Sequence, residues 1–184
     1  MGSLPDKARI RAEGALLIDL IRKSMEKTNW DAFIDLADKL TKVKHTFVTG
    51  AGRSGLVARS FGMRLMHAGL PVFIPGETNT PAAEQGDLLV AISCTGSTGY
   101  TKYLADRASE LGAEVIAITS DSDSPLSLNA SLNILIPVDE EDIVLKAGVF
   151  EHTASLCLDA LFNVISKRLK IDAEAFRKRH ANLE

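Results

Sequence analysis

Five short runs of apolar, β-forming residues alternate with longer segments of helical spacing in the sequence that follows residue 44. The runs lie near 45–49, 71–75, 87–92, 114–119 and 132–137. The helical segments lie near 54–68, 99–112, 125–130, 147–169 and 172–182. Because runs that are apolar throughout are typical of strands covered on both faces, the sequence predicts a parallel sheet between two helical layers. Right-handed crossovers give a three-layer, doubly wound α/β fold, whose commonest five-stranded order, as in flavodoxin, is 2-1-3-4-5.

Residues 1–43 are predicted to form an N-terminal helical segment. Apolar residues recur at helical spacing from about 7 to 28, and Asp31 can cap a second helix that includes Phe33 and Leu40. Each helix has one apolar face, so we expect the segment to pack on the sheet or on a neighbouring subunit. No repeat or linker interrupts the 184 residues, a length that suits one domain.

Composition excludes several classes of protein. A net charge of −3 argues against a general nucleic-acid binder. There is no run of about 18 apolar residues that would cross a membrane, and the N-terminus does not resemble a signal peptide, so we expect a cytoplasmic protein. Cys94 and Cys157 form neither a metal-binding pattern nor a disulfide framework. Cys157 lies in a helical run and is expected to be a buried thiol, and no neighbour in sequence would activate Cys94 as a nucleophile.

Two loops rich in Gly, Ser and Thr carry the functional signal. Gly50–Gly55 follows the first predicted strand, Ser93–Thr98 follows the third, and each opens a helical run. In the order 2-1-3-4-5 these strands are neighbours and the chain reverses direction between them, which is where ligands bind in such folds. Backbone N–H groups and hydroxyls at two adjacent helix starts can hold a phosphate. The loops therefore predict a phosphate site at the carboxyl edge of the sheet.

The residues expected to bind the substrate come from both loops and from the segment after the second strand. They are Gly52, Arg53, Ser54, Glu77, Thr78, Ser93, Thr95, Ser97 and Thr98. The alternative is that these residues only form turns and helix caps, with Ser54 as an N-cap and Arg53 as a solvated first-turn residue. Arg53 would oppose the helix dipole there, which favours a ligand role.

The first loop also matches G-x-G-x-x-G, the dinucleotide fingerprint, with Glu77 near the position of its acidic residue. A dinucleotide does not need a second phosphate cradle after the third strand, whereas a sugar phosphate does. We therefore favour a sugar phosphate as the ligand and expect no cofactor and no metal ion.

Isomerisation of a sugar phosphate requires a base that moves a proton between carbons and a second group that moves protons on the oxygens. Glu151 is the candidate base, although it could be a simple helix-start residue on the predicted helix 147–169. His67 is the candidate for the second role, although a cation at a helix end is favourable in itself. His45 and His152 are interpreted as structural, and His180 in the charged tail as solvated.

These segments together resemble the sugar isomerase (SIS) domain family. Besides the two loops, the matching segments are Met63–His67, Gly76–Pro81, Gly86–Leu89, Phe150–Glu151 and the tail Arg179–Glu184. The resemblance covers nearly the whole chain, and within the family it is closest to the 6-phospho-3-hexuloisomerases.

The resemblance implies the interconversion of D-arabino-hex-3-ulose 6-phosphate and D-fructose 6-phosphate through an enediol, in the ribulose monophosphate pathway of formaldehyde assimilation and detoxification. It also implies a homotetramer with active sites near subunit contacts. By position, Ser54, Ser93, Thr95 and Thr98 would hold the phosphate. Glu151 would be the base, and His67 would be the second acid–base group, in its own or a neighbouring subunit's site. The match of the tail adds His180 as a possible site residue.

The chain departs from the family pattern at two places. Thr95 and Ser97 replace a serine and an acidic residue in the second loop. Leu145–Gly148 replaces a Pro-Met-Gly-Thr/Ser run in what we expect to be the loop before Glu151, and Lys146 there could add a cation to the site. The second departure leaves open another SIS-type aldose–ketose phosphate isomerase. A non-catalytic sugar-phosphate-binding protein is a further alternative.

Overall fold

The computed structural model describes residues 6–183 and contains a five-stranded, all-parallel sheet. Its strands are β1 (Thr46–Gly50), β2 (Val72–Phe73), β3 (Leu88–Ile92), β4 (Glu114–Thr119) and β5 (Leu132–Leu135). Their order is β2-β1-β3-β4-β5, which confirms the predicted 2-1-3-4-5 topology. The run predicted at 71–75 was too long: only two of its residues form β2, because Pro71 and Pro75 flank them and proline cannot donate to a ladder.

Seven helices surround this sheet in the described part of the chain. They are α1 (Asp6–Lys27), α2 (Trp30–Leu40), α3 (Gly52–His67), α4 (Gly99–Glu110), α5 (Pro125–Leu128), α6 (Ile143–Arg168) and α7 (Ala173–Lys178). None of them is long and apolar enough to cross a membrane. The alternation of strands and helices predicted from the sequence is confirmed.

Two predicted helix starts were wrong. Asp31 does not cap α2: the N-cap is Asn29, whose side chain accepts the Asp31 N–H at 3.1 Å, and Asp31 lies in the first turn. Helix α6 begins at Ile143 rather than 147, because the Asp142 carboxylate caps it by accepting from the N–H groups of Val144 and Leu145.

Helices cover both faces of the sheet. On one face, the apolar sides of α2, α3 and α6 pack with alternate strand residues such as Val90 into the larger core. On the other face, α4 and α5 cover the remaining strand residues, Leu89 among them. Helix α2 packs on β5 and α6, and α1 lies against α6 with Ile10 and Ile18 largely exposed.

The last residues of β1 and β3 lie side by side, since Gly50 pairs with Ile92. The two loops therefore start next to each other at the carboxyl edge of the sheet, as the topology requires.

Candidate active site

The first loop turns sharply from β1 into α3 because two glycines touch. A β-carbon on Gly55 would lie 2.7 Å from the Gly50 carbonyl oxygen, and one on Gly50 would lie 2.8 Å from the Ser54 backbone. Both distances are below normal contact, so neither position accepts a side chain without moving the backbone. Residues Gly52, Arg53 and Ser54 form the first turn of α3 directly after this contact.

The second loop is fixed by the end of β4, which the sequence analysis did not single out. The Thr119 and Ser120 hydroxyls donate to the Cys94 carbonyl at 3.0 and 2.8 Å. Gly96 has φ +60, and a β-carbon there would lie 2.0 Å from the Ser124 hydroxyl. The signal available in the sequence was the hydroxyl-rich stretch that follows the fourth strand, Thr119–Ser124.

Helices α3 and α4, which follow the two loops, have no side-chain cap. The N-cap of α3 is Ala51, and the N-cap of α4 is Thr98, whose hydroxyl accepts from Ser93 at 3.3 Å instead of capping the helix. In contrast, side chains of Asn29, Ser124, Asp142 and Asp172 cap α2, α5, α6 and α7. Two adjacent helix starts therefore present backbone N–H groups without a side-chain acceptor, which is the arrangement that binds an anion.

Ser54 does not act as a cap. It lies inside α3, is 6% exposed, and its hydroxyl donates to Glu151 Oε1 at 3.4 Å. Thr95 and Ser97 are exposed at the outer side of the second loop, where the Ser97 hydroxyl donates to Thr95 at 3.0 Å. The hydroxyls of both loops thus line the same edge of the sheet.

Glu151 is the buried carboxylate of this cluster. It is 7% exposed, and Arg53 Nε lies 2.6 Å from its Oε2 in an ion pair. The Arg53 N–H is not directed at that oxygen, so buried Oε2 has no hydrogen-bond donor among the described residues. A buried carboxylate oxygen with a nearby cation and no donor of its own can accept a proton from a bound substrate.

The interpretation of Glu151 as a first-turn residue was wrong, as was the expectation of a presenting loop. Because α6 starts at Ile143, Glu151 lies more than two turns into the helix and Leu145–Gly148 is helical. Gly148 faces Arg53, since a β-carbon there would lie 3.9 Å from its Nη1. Glu151 is therefore held by the rigid body of α6.

Cys94 is a buried residue of the second loop and is not an activated nucleophile. Burial raises the pKa of its thiol, an effect that a hydrogen bond to Ser120 and the Lys146 ammonium oppose and that Glu151 adds to. The side chain of Cys157 is fully buried, and burial raises its pKa to about 12, which fits the predicted buried thiol.

His67 lies at the opposite end of α3 from the loops. Arg53 and His67 are fourteen positions apart on this 16-residue helix, and hence about 20 Å apart at about 1.5 Å per residue. His67 is 3% exposed and its Nδ1 has no partner in the described chain. It stacks on His180, with ring centroids 4.9 Å apart, and lies 4.7 Å from the Phe176 ring. Burial, then the charges of His180 and Arg64, lower the pKa of His67.

The structure does not bond the remaining candidates among its described residues to this cluster. Glu77 and Thr78 are exposed, and Glu77 forms an ion pair with Arg59 of α3 at 2.6 Å. Within residues 6–183, no hydrogen bond or ion pair joins them to Glu151 or to either loop. His45 lies 3.3 Å from Asp87, as suits a structural residue, and His152 is exposed on α6.

Among the described residues, no group of three or more His, Cys, Asp or Glu side chains is arranged to hold a metal ion.

Known proteins are similar to this chain in sequence and in fold. Residues 39–163 match the family model of the SIS domain. The chain is 36% identical over 165 residues to the 3-hexulose-6-phosphate isomerase of Methanocaldococcus jannaschii, covering 89% of this chain and 91% of that protein. It is 34% identical over 177 residues to the 3-hexulose-6-phosphate isomerase of Mycobacterium gastri, covering 92% and 89%. A solved Methanococcus jannaschii structure, described as inferring a 3-hexulose-6-phosphate isomerase function, superposes with a TM-score of 0.84 at 33% identity, covering 91% and 98%.

Proposed function

The chain belongs to the SIS domain family, and on that premise we propose that it is a 3-hexulose-6-phosphate isomerase. It interconverts D-arabino-hex-3-ulose 6-phosphate and D-fructose 6-phosphate. The observation that carries the chemistry is the position of Glu151, a buried carboxylate in contact with the first loop, beside two uncapped helix starts. The helix starts bind an anion, and the Glu151 carboxylate accepts a proton.

The substrate's phosphate binds at the starts of α3 and α4. Their N–H groups and the hydroxyls of Ser54, Ser93, Thr95 and Thr98 supply the donors. Because the phosphate is remote from the reacting carbons, its binding holds the open-chain sugar in register for proton transfer.

Glu151 takes the proton from C2 of the 3-ulose, and the electron pair forms the C2=C3 double bond of an enediolate. Return of the proton to C3, with transfer of the oxygen proton from O2 to O3, leaves the carbonyl at C2. The net change moves the carbonyl from C3 to C2 within one molecule, so the reaction needs neither an oxidant nor a reductant. Burial of Glu151 excludes water from the proton in transit.

The protein is further proposed to act as a homotetramer in which His67 serves a neighbouring subunit's site as the group that moves protons on the oxygens. The distance of about 20 Å between His67 and Arg53 along α3 supports this, since His67 is out of reach of its own subunit's Glu151. Exposed apolar side chains on α3, Leu56, Met63 and Met66, support self-association.

The reaction would consume the product of formaldehyde addition to ribulose 5-phosphate, which gives the enzyme a place in formaldehyde assimilation or detoxification in the cytoplasm, where sugar phosphates are metabolised.

The test is a coupled assay that follows formation of fructose 6-phosphate from hex-3-ulose 6-phosphate in the presence of EDTA. Rapid turnover is expected. Saturable sugar-phosphate binding without turnover would contradict the proposal and favour another isomerase or a binding protein.

A further inference from the structure

Lys146 is a cation at the start of α6 that forms no ion pair with the part of the chain that the structure describes. It is the fourth residue of α6, is half-buried, and forms no ion pair with any carboxylate in residues 6–183. Its backbone N–H bonds to the Asp142 carbonyl in the first turn of the helix. The Asp142 carboxylate itself is occupied by the N–H groups of Val144 and Leu145. A half-buried ammonium that no carboxylate engages is available to form a charge-assisted hydrogen bond with a bound anion.

The side chain of Lys146 starts on the inner face of α6. Val149 and Phe150, three and four positions further on, are both fully buried, and residues at this spacing share one side of a helix. The stem of Lys146 is therefore partly covered by its neighbours, and its long side chain can extend its ammonium to the carboxyl edge of the sheet.

The second loop lies within reach of the Lys146 charge. The start of α6 lies against the first turn of α3, since a β-carbon on Gly148, two positions after Lys146, would lie 3.9 Å from Arg53 Nη1. Burial raises the pKa of Cys94, which lies between the predicted phosphate contacts Ser93 and Thr95, and the Lys146 ammonium lowers this pKa against that larger effect.

The other cation of the site is already engaged. Arg53 forms an ion pair with Glu151, so the two charges offset each other. The second loop contributes hydroxyls and backbone N–H groups but no charged side chain. A phosphate with two negative charges therefore finds donors at the starts of α3 and α4, where the cation Arg53 is already paired with Glu151.

We propose that Lys146 is the counterion of the substrate's phosphate. The proposal rests on the proposed function only for the identity of the sugar, because the anion contact itself would exist for any phosphate in the loop. The charge-assisted bond between ammonium and phosphate strengthens binding equally in the ground state and the transition state, so it acts on KM rather than on kcat.

The experiment compares Lys146→Met, Lys146→Arg and a matched control, Lys167→Met. Lys167 lies in the last turn of the same helix, is exposed, and loses the same charge far from the loops. Calorimetric titration with inorganic phosphate and with fructose 6-phosphate is made at low salt, and kinetics are measured in parallel. Circular dichroism checks that each variant folds.

Lys146→Met is expected to weaken binding of both ligands about tenfold and to raise KM about tenfold, with kcat within about twofold of the parent. Lys146→Arg retains most of the affinity, and Lys167→Met leaves all values unchanged. Unchanged phosphate affinity in Lys146→Met would overturn the proposal, as would a fall in kcat with binding intact. If the parent binds phosphate but does not isomerise hex-3-ulose 6-phosphate, the proposed function fails while the titration still decides the role of Lys146.

Discussion

Arg53 and Glu151 form an ion pair that joins the first turn of α3 to the third turn of α6, with 2.6 Å between Arg53 Nε and Glu151 Oε2. The pair holds a buried carboxylate beside the first loop. Gly148 lies beside the same guanidinium, since a β-carbon there would be 3.9 Å from Arg53 Nη1. The ion pair therefore links the first loop directly to the proposed base.

Replacing Glu151 with glutamine is expected to lower kcat by at least about a thousandfold, because the amide cannot accept the proton from C2. Glutamine keeps the shape of the glutamate side chain, and its amide oxygen can still accept from the Ser54 hydroxyl. The affinity for fructose 6-phosphate should therefore stay within a few fold of the parent. The coupled assay gives kcat, and calorimetry gives the affinity. The control is Glu110→Gln, an exposed residue at the far end of α4.

A Glu151→Gln variant that still turns over at a tenth of the parental rate would exclude Glu151 as the base. Loss of binding together with turnover would instead indicate that the carboxylate mainly organises Arg53 and the loop.

The fold could be predicted because its signals are local. Apolar runs define the strands, and the glycines of the first loop recur at the spacing that the Gly50–Gly55 contact requires. The start of α6 was misplaced because Asp142 lies among other acidic residues, so its capping role is visible only once its side chain is seen to bond Val144 and Leu145.

The contacts of the candidate site join parts of the chain that are distant in sequence. The hydroxyl of Ser54 could be read equally well as a cap or as a ligand group, and only packing of α3 on α6 directs it to Glu151. In the same way, nothing in the tail indicates that His180 stacks on His67. Such contacts depend on tertiary packing, which a single sequence does not encode in any local pattern.

Gly55→Ala is expected to lower the free energy of unfolding by about 1–3 kcal/mol, since the new methyl group would lie 2.7 Å from the Gly50 carbonyl oxygen. Denaturant unfolding at a fixed protein concentration measures the change. Gly14→Ala is the control, because no atom lies within 4 Å of a β-carbon there and alanine favours the interior of α1. An equal effect of both substitutions would contradict the role given to the Gly50–Gly55 contact.

Both cysteines are expected to react slowly with Ellman's reagent in the native protein at about pH 8 and rapidly after denaturation, because burial raises the pKa of each thiol. Cys94 should react first, since its residue is 8% exposed and Cys157 is fully buried. Fructose 6-phosphate should slow the reaction of Cys94 further by occupying the second loop. A Cys94→Ala variant identifies the faster phase, and a phase insensitive to the sugar phosphate would argue against phosphate binding above Cys94.

The buried position of His67 predicts how stability depends on pH. Burial lowers its pKa in the folded protein below the ordinary value of about 6.5, so as pH falls through that value the unfolded chain binds a proton that the folded chain does not. The contribution of the neutral, buried His67 to the free energy of unfolding is fully present above about pH 6.5 and is lost progressively on acidification. The free energy of unfolding should therefore fall more steeply between about pH 7 and 5.5 in the parent than in His67→Gln.

The slope of the free energy of unfolding against pH is the readout, because lost stacking on His180 shifts the whole curve of the variant. His152→Gln, at an exposed position on α6, should keep the parental slope. Parallel curves for the parent and His67→Gln would show that His67 takes up its proton as readily in the folded protein as in the unfolded chain.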